Sequence, residues 1–266
     1  MSDEPDRTAP TGAGDELPAG ASLRLPAHAN NGLSALKSAK LPEQLAGALS
    51  EHQWRQLARV LETVAADEHA PTAIRGVDRA GELHVADSLV ALGLPRVREA
   101  RTIADLGSGS GFPGVALAVA LPRTSVRLIE SQQRKCRFLE QICRAAAIEN
   151  AEVVCTRAEQ WGAGACRNDL ALARALAPQP VVLEYAAPLL RVGGALVDWR
   201  GRRVPAEEER AQRAAALLGL RREEVRAVRP FSDARDRYLH VFVKEQATPS
   251  RFPRRAGIAR KRPLAS

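Results

Sequence analysis

The chain has 266 residues, of which 45% are hydrophobic and 4% aromatic, and it carries a formal net charge of +8. This length and apolar content suit one main domain with extensions. No apolar run approaches the ~18 residues of a membrane span, and the first 30 residues lack the basic and apolar regions of a signal segment. We therefore expect a soluble cytoplasmic protein that does not associate with membranes.

Cysteine and histidine spacing gives no indication of a metal site. The four cysteines, Cys136, Cys143, Cys155 and Cys166, form no C-x-x-C pair, and the five histidines form no H-x-x-x-H motif. The sequence therefore predicts neither a disulfide framework nor a zinc site.

The basic charge is concentrated at the C-terminal end, where residues 246–266 contain six arginines and lysines and no acidic residue. Such a basic tail is typical of proteins that contact a phosphate backbone, which makes Arg254, Arg255 and Lys261 candidate RNA-binding residues. Because Pro253 and Pro263 interrupt helix formation, we expect an extended arm that follows phosphates.

Two alternatives remain for this tail. It could be a disordered, solubilising segment, or Phe252 and Leu264 could anchor it against the catalytic domain as part of the structure.

The N-terminal third divides into two parts. Residues 1–40 are rich in Pro, Gly and Ala without periodicity, which predicts a disordered tail. Residues 41–94 carry apolar side chains at three- and four-residue spacing, and "ELHVADSLVALGL" at 82–94 reads as a further helix. We expect a small N-terminal helical cap over 41–94.

From residue 95 to 245, short apolar runs alternate with helical segments, which predicts a doubly wound α/β domain. The predicted strands are 102–106, 125–130, 151–155, 169–173, 194–199, 224–228 and 238–244. The predicted helices are 113–121, 132–147, 178–189 and 205–219. The loop "RPFSDARDR" is too short for a crossover helix, so the seventh strand should be antiparallel. This Rossmann-like, seven-stranded pattern is typical of class I methyltransferases that use S-adenosylmethionine (SAM).

Residues 105–114, "DLGSGSGFPG", fit two cofactor fingerprints at once. Gly109, Gly111 and Gly114 match the G-x-G-x-x-G of nicotinamide and flavin sites. Asp105 together with Gly107, Gly109 and Gly111 matches the acidic-x-G-x-G-x-G of SAM methyltransferases. In both classes the glycines allow positive backbone torsions and close approach of the cofactor.

Asp105 distinguishes the two fingerprints, whereas Glu130 does not. Glu130 ends the second predicted strand, where a carboxylate could accept the ribose hydroxyls of either cofactor. A carboxylate at Asp105 would repel a pyrophosphate but could attract the ammonium or sulfonium group of SAM. The interpretation we favour is therefore a SAM site.

Several motifs together resemble one known family. "HVADSL", "DLGSGSGFPGVALAVALP", "LIESQQRKCRFLE", "ARAL" and the closing "TPSRFPRRAGIARKRPL" are similar to segments of the small-subunit rRNA (guanine-N7) methyltransferases. This family is also called RsmG, formerly glucose-inhibited division protein B. The resemblance extends from about residue 42 to the C-terminus.

The resemblance implies methyl transfer from SAM to N7 of a guanine in 16S rRNA, guanine 527 of the decoding-region hairpin in this family. The substrate would be 16S rRNA or a small-subunit assembly intermediate, the enzyme a monomer without metal. SAM would be held by the residues that match the family pattern, which are Gly107, Phe112, Ala158, Glu159 and Arg174. Glu130 would hold the ribose.

The residues after the fourth strand are consistent with an N7 target. They read "ARALAP", with neither the Asn/Asp-Pro-Pro-aromatic motif of many amino-methylating enzymes nor a nucleophilic cysteine. N7 of neutral guanine presents an unprotonated lone pair, so no general base is required, and we assign no acid or base. His84, Asp87 and Arg174 are candidate substrate-binding residues, as is Arg200, which stands where the family commonly has lysine.

Three other functions remain open from the sequence. The fold could methylate another RNA, the same loop could serve an NAD(P)-dependent oxidoreductase, or the protein could bind RNA without catalysis. The oxidoreductase would need a proton donor such as a Tyr-Lys pair, and neither Tyr185 nor Tyr238 is part of one. A protein that binds RNA by stacking would need more exposed aromatic side chains than this composition provides.

Overall fold

A computed structural model describes residues 36, 47, 49–74 and 77–265, with only the main chain at 77 and 78. The prediction of a disordered tail over 1–40 falls outside this description except at Leu36, whose side chain is buried. The structure is built around a single seven-stranded sheet.

All seven strands overlap their predicted ranges, and five of them start within one residue of the prediction, whereas the fifth and sixth strands begin four residues earlier than predicted. The seven strands are β1 Thr102–Leu106, β2 Ser125–Glu130, β3 Ala151–Cys155, β4 Asn168–Arg174, β5 Leu190–Arg200, β6 Leu220–Ala227 and β7 Tyr238–Lys244. Their order in the sheet is β3-β2-β1-β4-β5-β7-β6. Strands β1 to β5 pair in parallel, and β7 is antiparallel to both β5 and β6. This arrangement confirms the predicted class I methyltransferase fold.

Helices cover both faces of the sheet. They are α1 Glu51–Ala66, α2 Val77–Ala80, α3 Asp87–Leu89, α4 Pro95–Glu99, α5 Gly114–Ala120, α6 Gln133–Ala145, α7 Gln179–Ala186, α8 Pro205–Leu217 and α9 Ile258–Lys261. One core cluster joins α1, α5 and α6 to the sheet, and a second joins α7, α8 and part of the C-terminal segment to its other face. The carboxyl ends of the parallel strands therefore meet at one edge, flanked by helices.

Helix α1 is fixed to the sheet domain at its N-terminus. Ser50 and Gln53 form a reciprocal capping box, which satisfies backbone amides at the start of the helix. The Gln53 amide nitrogen also donates to the carbonyl oxygens of Val119 and Ala120, at 2.8 and 3.2 Å. One side chain thus caps α1 and ties it to the end of α5.

The segment predicted as a helix over 82–94 is helical but irregular. A π-helical turn, Gly81–Ala86, lies between α2 and α3, and a 3₁₀ turn, Val90–Gly93, ends the segment. Sequence periodicity alone does not distinguish such a turn from a regular α-helix, because the turn inserts only a local change of register. The turn places His84 and Asp87 against the sheet edge, where both are buried.

The C-terminal segment, residues 247–265, folds back onto the domain, so the prediction of an extended arm is wrong. Arg254 pairs with Glu184, a buried residue of α7 whose side chain is 1% exposed. Arg260 donates to the Leu176 carbonyl oxygen, and Ala259 is buried in the core beside α7. The segment docks because it carries both an ion-pair partner and apolar side chains for this face, as the anchoring alternative requires.

A disulfide joins Cys136 and Cys155, whose Cα atoms lie 5.8 Å apart, contrary to the expectation from cysteine spacing. Parallel pairing of β2 with β3 sets Cys155 opposite Glu130. Helix α6 begins at Gln133, shortly after Glu130, and Cys136 lies near its start. The two cysteines meet through the fold, so spacing along the chain contains no sign of the pair.

Among the residues described, no helix combines the length and apolar character needed to cross a membrane. The same part of the chain contains no group of three or more His, Cys, Asp or Glu side chains placed to hold a metal ion.

Candidate active site

The glycine loop, residues 107–111, connects β1 to α5 at the carboxyl edge of the sheet. Gly107, Gly109 and Gly111 all have positive φ, at 67°, 54° and 98°. A Cβ atom at Gly107 would lie 2.5 Å from the Leu176 side chain, and one at Gly111 would lie 2.8 Å from Val115. Side chains are therefore excluded by conformation and by space, and the loop presents bare backbone.

Glu130, at the end of β2, is tied to the glycine loop through backbone amides. Its Oε2 accepts from Gly109 N at 3.2 Å, and its Oε1 accepts from Ser131 N and Gln132 N at 2.7 and 2.9 Å. The side chain is buried. These bonds fix a carboxylate beside the glycine loop, where the sequence analysis expects a ribose-binding group.

Asp105 lies behind the glycine loop. Its side chain is 1% exposed, and its Oδ2 accepts from Gly114 N at the start of α5 at 3.2 Å. Burial raises the pKa of this carboxyl to about 7. The arrangement does not support the expected direct contact with a cofactor cation, because the carboxylate is turned toward the helix.

A cavity of about 660 Å³ opens between the glycine loop and the helical segment 77–93. The lining includes residues from the glycine loop, the helical segment and the ends of β4 and β5. Its polar and aromatic members include Thr72, His84, Asp87, Ser108, Ser110, Phe112, Lys135, Arg174, Trp199, Arg200 and Arg237. Four of the candidate substrate-binding residues, His84, Asp87, Arg174 and Arg200, thus meet in one cavity.

Arg174, at the end of β4, connects the sheet to the helical segment. Its Nη1 donates to Asp87 Oδ2 at 2.8 Å and to the Leu83 carbonyl oxygen at 3.3 Å, and its Nη2 lies 3.4 Å from His84 Nδ1. Arg237 Nε lies 3.6 Å from the other Asp87 oxygen. Asp87 thus balances two arginines at the wall of the cavity.

His84 stacks on Phe112, with ring centroids 4.7 Å apart and an interplanar angle of 5°. Burial, with the nearby Arg174 charge, lowers the pKa of His84 to about 4. The imidazole is therefore neutral near pH 7 and forms, with Phe112, an uncharged aromatic wall on a cavity otherwise rich in cations.

Arg200, the last residue of β5, also lines the cavity. Its Nε donates to Asp198 Oδ2 at 2.7 Å and its Nη2 donates to the Ala177 carbonyl oxygen at 2.9 Å. The neighbouring Trp199 donates from Nε1 to the Asp87 carbonyl oxygen at 2.8 Å. The Trp199 bond thereby joins the end of β5 to the helical segment.

The remaining candidates lie outside this cavity. Ala158 and Glu159 form a 3₁₀ turn after β3, and Glu159 Oε1 accepts from Gly257 N of the C-terminal segment at 3.1 Å. Arg254 is engaged by Glu184, whereas Arg255 and Lys261 are exposed. Of the three tail candidates, Arg254 therefore has a structural partner and the other two face solvent.

The sequence motifs do not single out Thr72, Lys135, Trp199 or Arg237 as cavity residues. Thr72 comes from a loop before α2, and Arg237 comes from the loop before β7. No motif surrounds them, so only the packing of the helical segment onto the sheet brings them to the glycine loop.

Comparison with known proteins agrees with this geometry. The family model described as rRNA small subunit methyltransferase G (GidB) matches residues 51–235. A ribosomal RNA small subunit methyltransferase G from Syntrophomonas wolfei is 38% identical over 185 residues, covering 69% of this chain and 86% of that protein. Its counterpart from Thermotoga neapolitana is 35% identical over 215 residues, covering 80% and 93%.

Solved structures show the same fold at low sequence identity. The structure described as cofactor-bound Rv0187 from MTB superposes with a TM-score of 0.50 at 19% identity, covering 72% of this chain and 90% of that one. The family match spans the helical segment, the glycine loop and the cavity residues from β4 and β5. The chain belongs to the rRNA small subunit methyltransferase G family.

Proposed function

We propose that this protein transfers a methyl group from SAM to N7 of a guanine in 16S rRNA, at guanine 527 of the decoding-region hairpin. Membership of the family supports the substrate class. The choice of N7 rests on His84 in the cavity. Its imidazole is neutral, and its two nitrogens contact the side chains of Thr72 and Arg174. A nucleophile that needs no deprotonation suits a cavity in which the histidine is unavailable as a base.

The residues around the glycine loop fit SAM. Gly107, Gly109 and Gly111 present bare backbone at positive φ, which a cofactor can approach closely, and the Glu130 carboxylate is fixed beside this backbone. When bound, SAM supplies a methyl group on a sulfonium sulfur. The residues proposed to hold it are the glycine-loop backbone, Phe112, Glu130 for the ribose, Ala158 and Glu159 for the adenine end, and Arg174.

Asp105 has an indirect role in this proposal. Its carboxyl holds the Gly114 amide at the start of α5 and so fixes the end of the glycine loop. Asp105 therefore belongs to the cofactor site as a residue that supports the glycine loop, and the backbone of the loop contacts the cofactor.

This chain's contribution to catalysis is alignment and exclusion of water. The stacked His84 and Phe112 rings provide a flat, uncharged aromatic wall, and the Arg174 guanidinium lies 6.0 Å from the Phe112 ring centroid. A guanine ring stacked against such a wall has its N7 oriented for in-line attack, which lowers the entropic part of the activation barrier. Arg200, Arg237 and Lys135 line the same cavity and offer positive charge to the phosphates on either side of the base.

The proposal is tested by mapping the product. Purified protein and SAM would be incubated with naked 16S rRNA and, separately, with small-subunit particles, followed by aniline cleavage selective for N7-methylguanine. We expect one cleavage site, at guanine 527, in at least one of the two substrates. The reaction should need no added metal, and we expect the enzyme to be cytoplasmic. A methyl group on an exocyclic amine or a ribose hydroxyl would reject the mechanism.

The same assay predicts the pH dependence. With the pKa of His84 at about 4 and no base required, the rate of transfer should be flat from about pH 6 to pH 8 rather than bell-shaped. A rate that rises with a single proton loss near neutrality both in the wild type and in Asp105→Asn, which lacks the buried carboxyl whose pKa is raised to about 7, would indicate a general base and contradict the proposal.

A further inference from the structure

Thr72 lines the cavity, and its hydroxyl group is in contact with His84. Thr72 Oγ1 lies 3.0 Å from His84 Nε2 and accepts a hydrogen bond from Ile74 N at 3.1 Å. The direction of the bond between Thr72 and His84 decides what the hydroxyl can offer to a substrate.

Arg174 fixes the tautomer of His84. A guanidinium group carries donors only, so the His84 Nδ1 atom, 3.4 Å from Arg174 Nη2, must be the acceptor. A neutral imidazole has one N–H, which therefore sits on Nε2. The His84 Nε2–H must then donate to Thr72 Oγ1.

Both lone pairs of Thr72 Oγ1 are consequently occupied, one by His84 and one by Ile74. The hydroxyl hydrogen has no acceptor within the part of the chain that the structure describes, and Thr72 lines the cavity. A threonine hydroxyl is ordinarily both donor and acceptor. Here the surroundings convert it into a donor only.

We propose that Thr72 selects guanine by donating its hydroxyl hydrogen to O6 of the base whose N7 receives the methyl group. The inference rests on the proposed function and names the residue that reads the base. Along this edge guanine presents two acceptors, N7 and O6, whereas adenine presents N7 and the donor N6 amine. A hydroxyl group that can only donate can bond to O6 of guanine, but it cannot bond to the N6 amine of adenine, which is also a donor.

A neutral donor suits this position better than the nearby cations. Transfer to N7 places positive charge on the purine ring, and a lysine or arginine within hydrogen-bond distance of O6 would repel that charge as it develops. The Thr72 hydroxyl recognises O6 without this repulsion, and Lys135, Arg200 and Arg237 remain available for phosphates.

The test combines variants of Thr72 with a change in the substrate. Small-subunit particles would be reconstituted from 16S rRNA that carries, at the mapped position, either guanine or 2-aminopurine, which keeps N7 but lacks O6. The kcat/KM for methyl transfer would be measured for the wild type, Thr72→Val and Thr72→Ser. Thr72→Val keeps the shape and loses the hydroxyl, whereas Thr72→Ser keeps the hydroxyl.

We expect Thr72→Val to lower kcat/KM on guanine by roughly 3- to 10-fold, the loss for one neutral hydrogen bond. On 2-aminopurine the wild type and Thr72→Val should be equal, since O6 is absent, and Thr72→Ser should restore most of the guanine activity. Loss by the same factor on both substrates would mean that Thr72 acts only by supporting His84, and this would overturn the inference.

Two controls keep the outcomes distinct. Calorimetric SAM affinity and melting temperature report whether Thr72→Val perturbs the site, and Thr72→Ala replaces it if the valine variant does not fold. If the wild type itself places no methyl group on N7, the proposed function fails. If it methylates N7 but Thr72→Val shows no dependence on O6, only the role of Thr72 fails.

Discussion

The glycine loop and the C-terminal segment lie at the same side of the fold but are held by different kinds of interaction. The glycine loop is fixed by backbone groups and by Glu130, 21 residues away from Gly109. The C-terminal segment is fixed by side chains across 70 residues, between Glu184 and Arg254, and 98 residues, between Glu159 and Gly257. Substitutions in the first should affect ligand binding most, and substitutions in the second should affect stability most.

The largest effect is expected from Gly107→Val. The added side chain would meet Leu176 at a residue whose φ is positive, so the glycine loop cannot keep its shape. Calorimetry should show SAM affinity reduced by more than roughly 1000-fold, equivalent to ~4 kcal/mol. Gly162→Ala is the matched control, because a Cβ there meets nothing within 4 Å. A folded Gly107→Val protein with unchanged affinity would contradict the site.

Asp105→Asn tests whether the glycine loop is supported by a protonated carboxyl. Burial raises the folded pKa of Asp105 to about 7, whereas an unfolded aspartate titrates near ~3.9. The folded state therefore binds the proton more tightly. The resulting stabilisation is complete below about pH 4 and is lost as pH rises through about 7.

The expected measurement is a difference between two denaturation series. The free energy of unfolding of the wild type should fall by up to about 4 kcal/mol more than that of Asp105→Asn between about pH 4 and pH 8. Parallel pH profiles for the two proteins would show that Asp105 is ionised throughout, and would restore its interpretation as a partner for a cofactor cation.

Arg254→Ala tests the C-terminal segment. Removal of this guanidinium leaves Glu184 buried without its ionic partner, and breaking such a pair costs about 3–5 kcal/mol. Since Arg254 is itself 26% exposed, we expect about 3 kcal/mol in urea denaturation, the lower end of that range. Arg255→Ala, at the next residue and exposed, should change stability by less than about 0.5 kcal/mol. Equal effects of the two substitutions would contradict the docked segment.

Sequence patterns predicted the sheet because each strand is a local run and each glycine has a local conformational task. The same patterns placed Glu130 correctly beside the glycine loop, since the ends of adjacent parallel strands must meet. They did not reveal the partners of Arg254 or the role of Thr72, because charge and hydroxyl groups do not specify which distant residue they contact. Glu184 and Arg254 are equally compatible with solvent exposure until the fold brings them together.

The smallest effects concern the basic residues of the C-terminal segment that face solvent. Arg255 and Lys261 are exposed, so they can contact RNA phosphates while Arg254 holds the segment in place. Each phosphate contact releases counterions and contributes roughly 0.7 to 0.9 to the salt dependence of binding, measured as the slope of log K against log salt. The combined variant Arg255→Ala/Lys261→Ala should therefore flatten this slope by roughly 1.4 to 1.8. Melting temperature and SAM affinity should stay at wild-type values, since neither side chain supports the fold. An unchanged salt slope would mean that Arg255 and Lys261 do not contact RNA phosphates, and the RNA-binding cations would then have to be sought among the other exposed arginines of the segment and those that line the cavity.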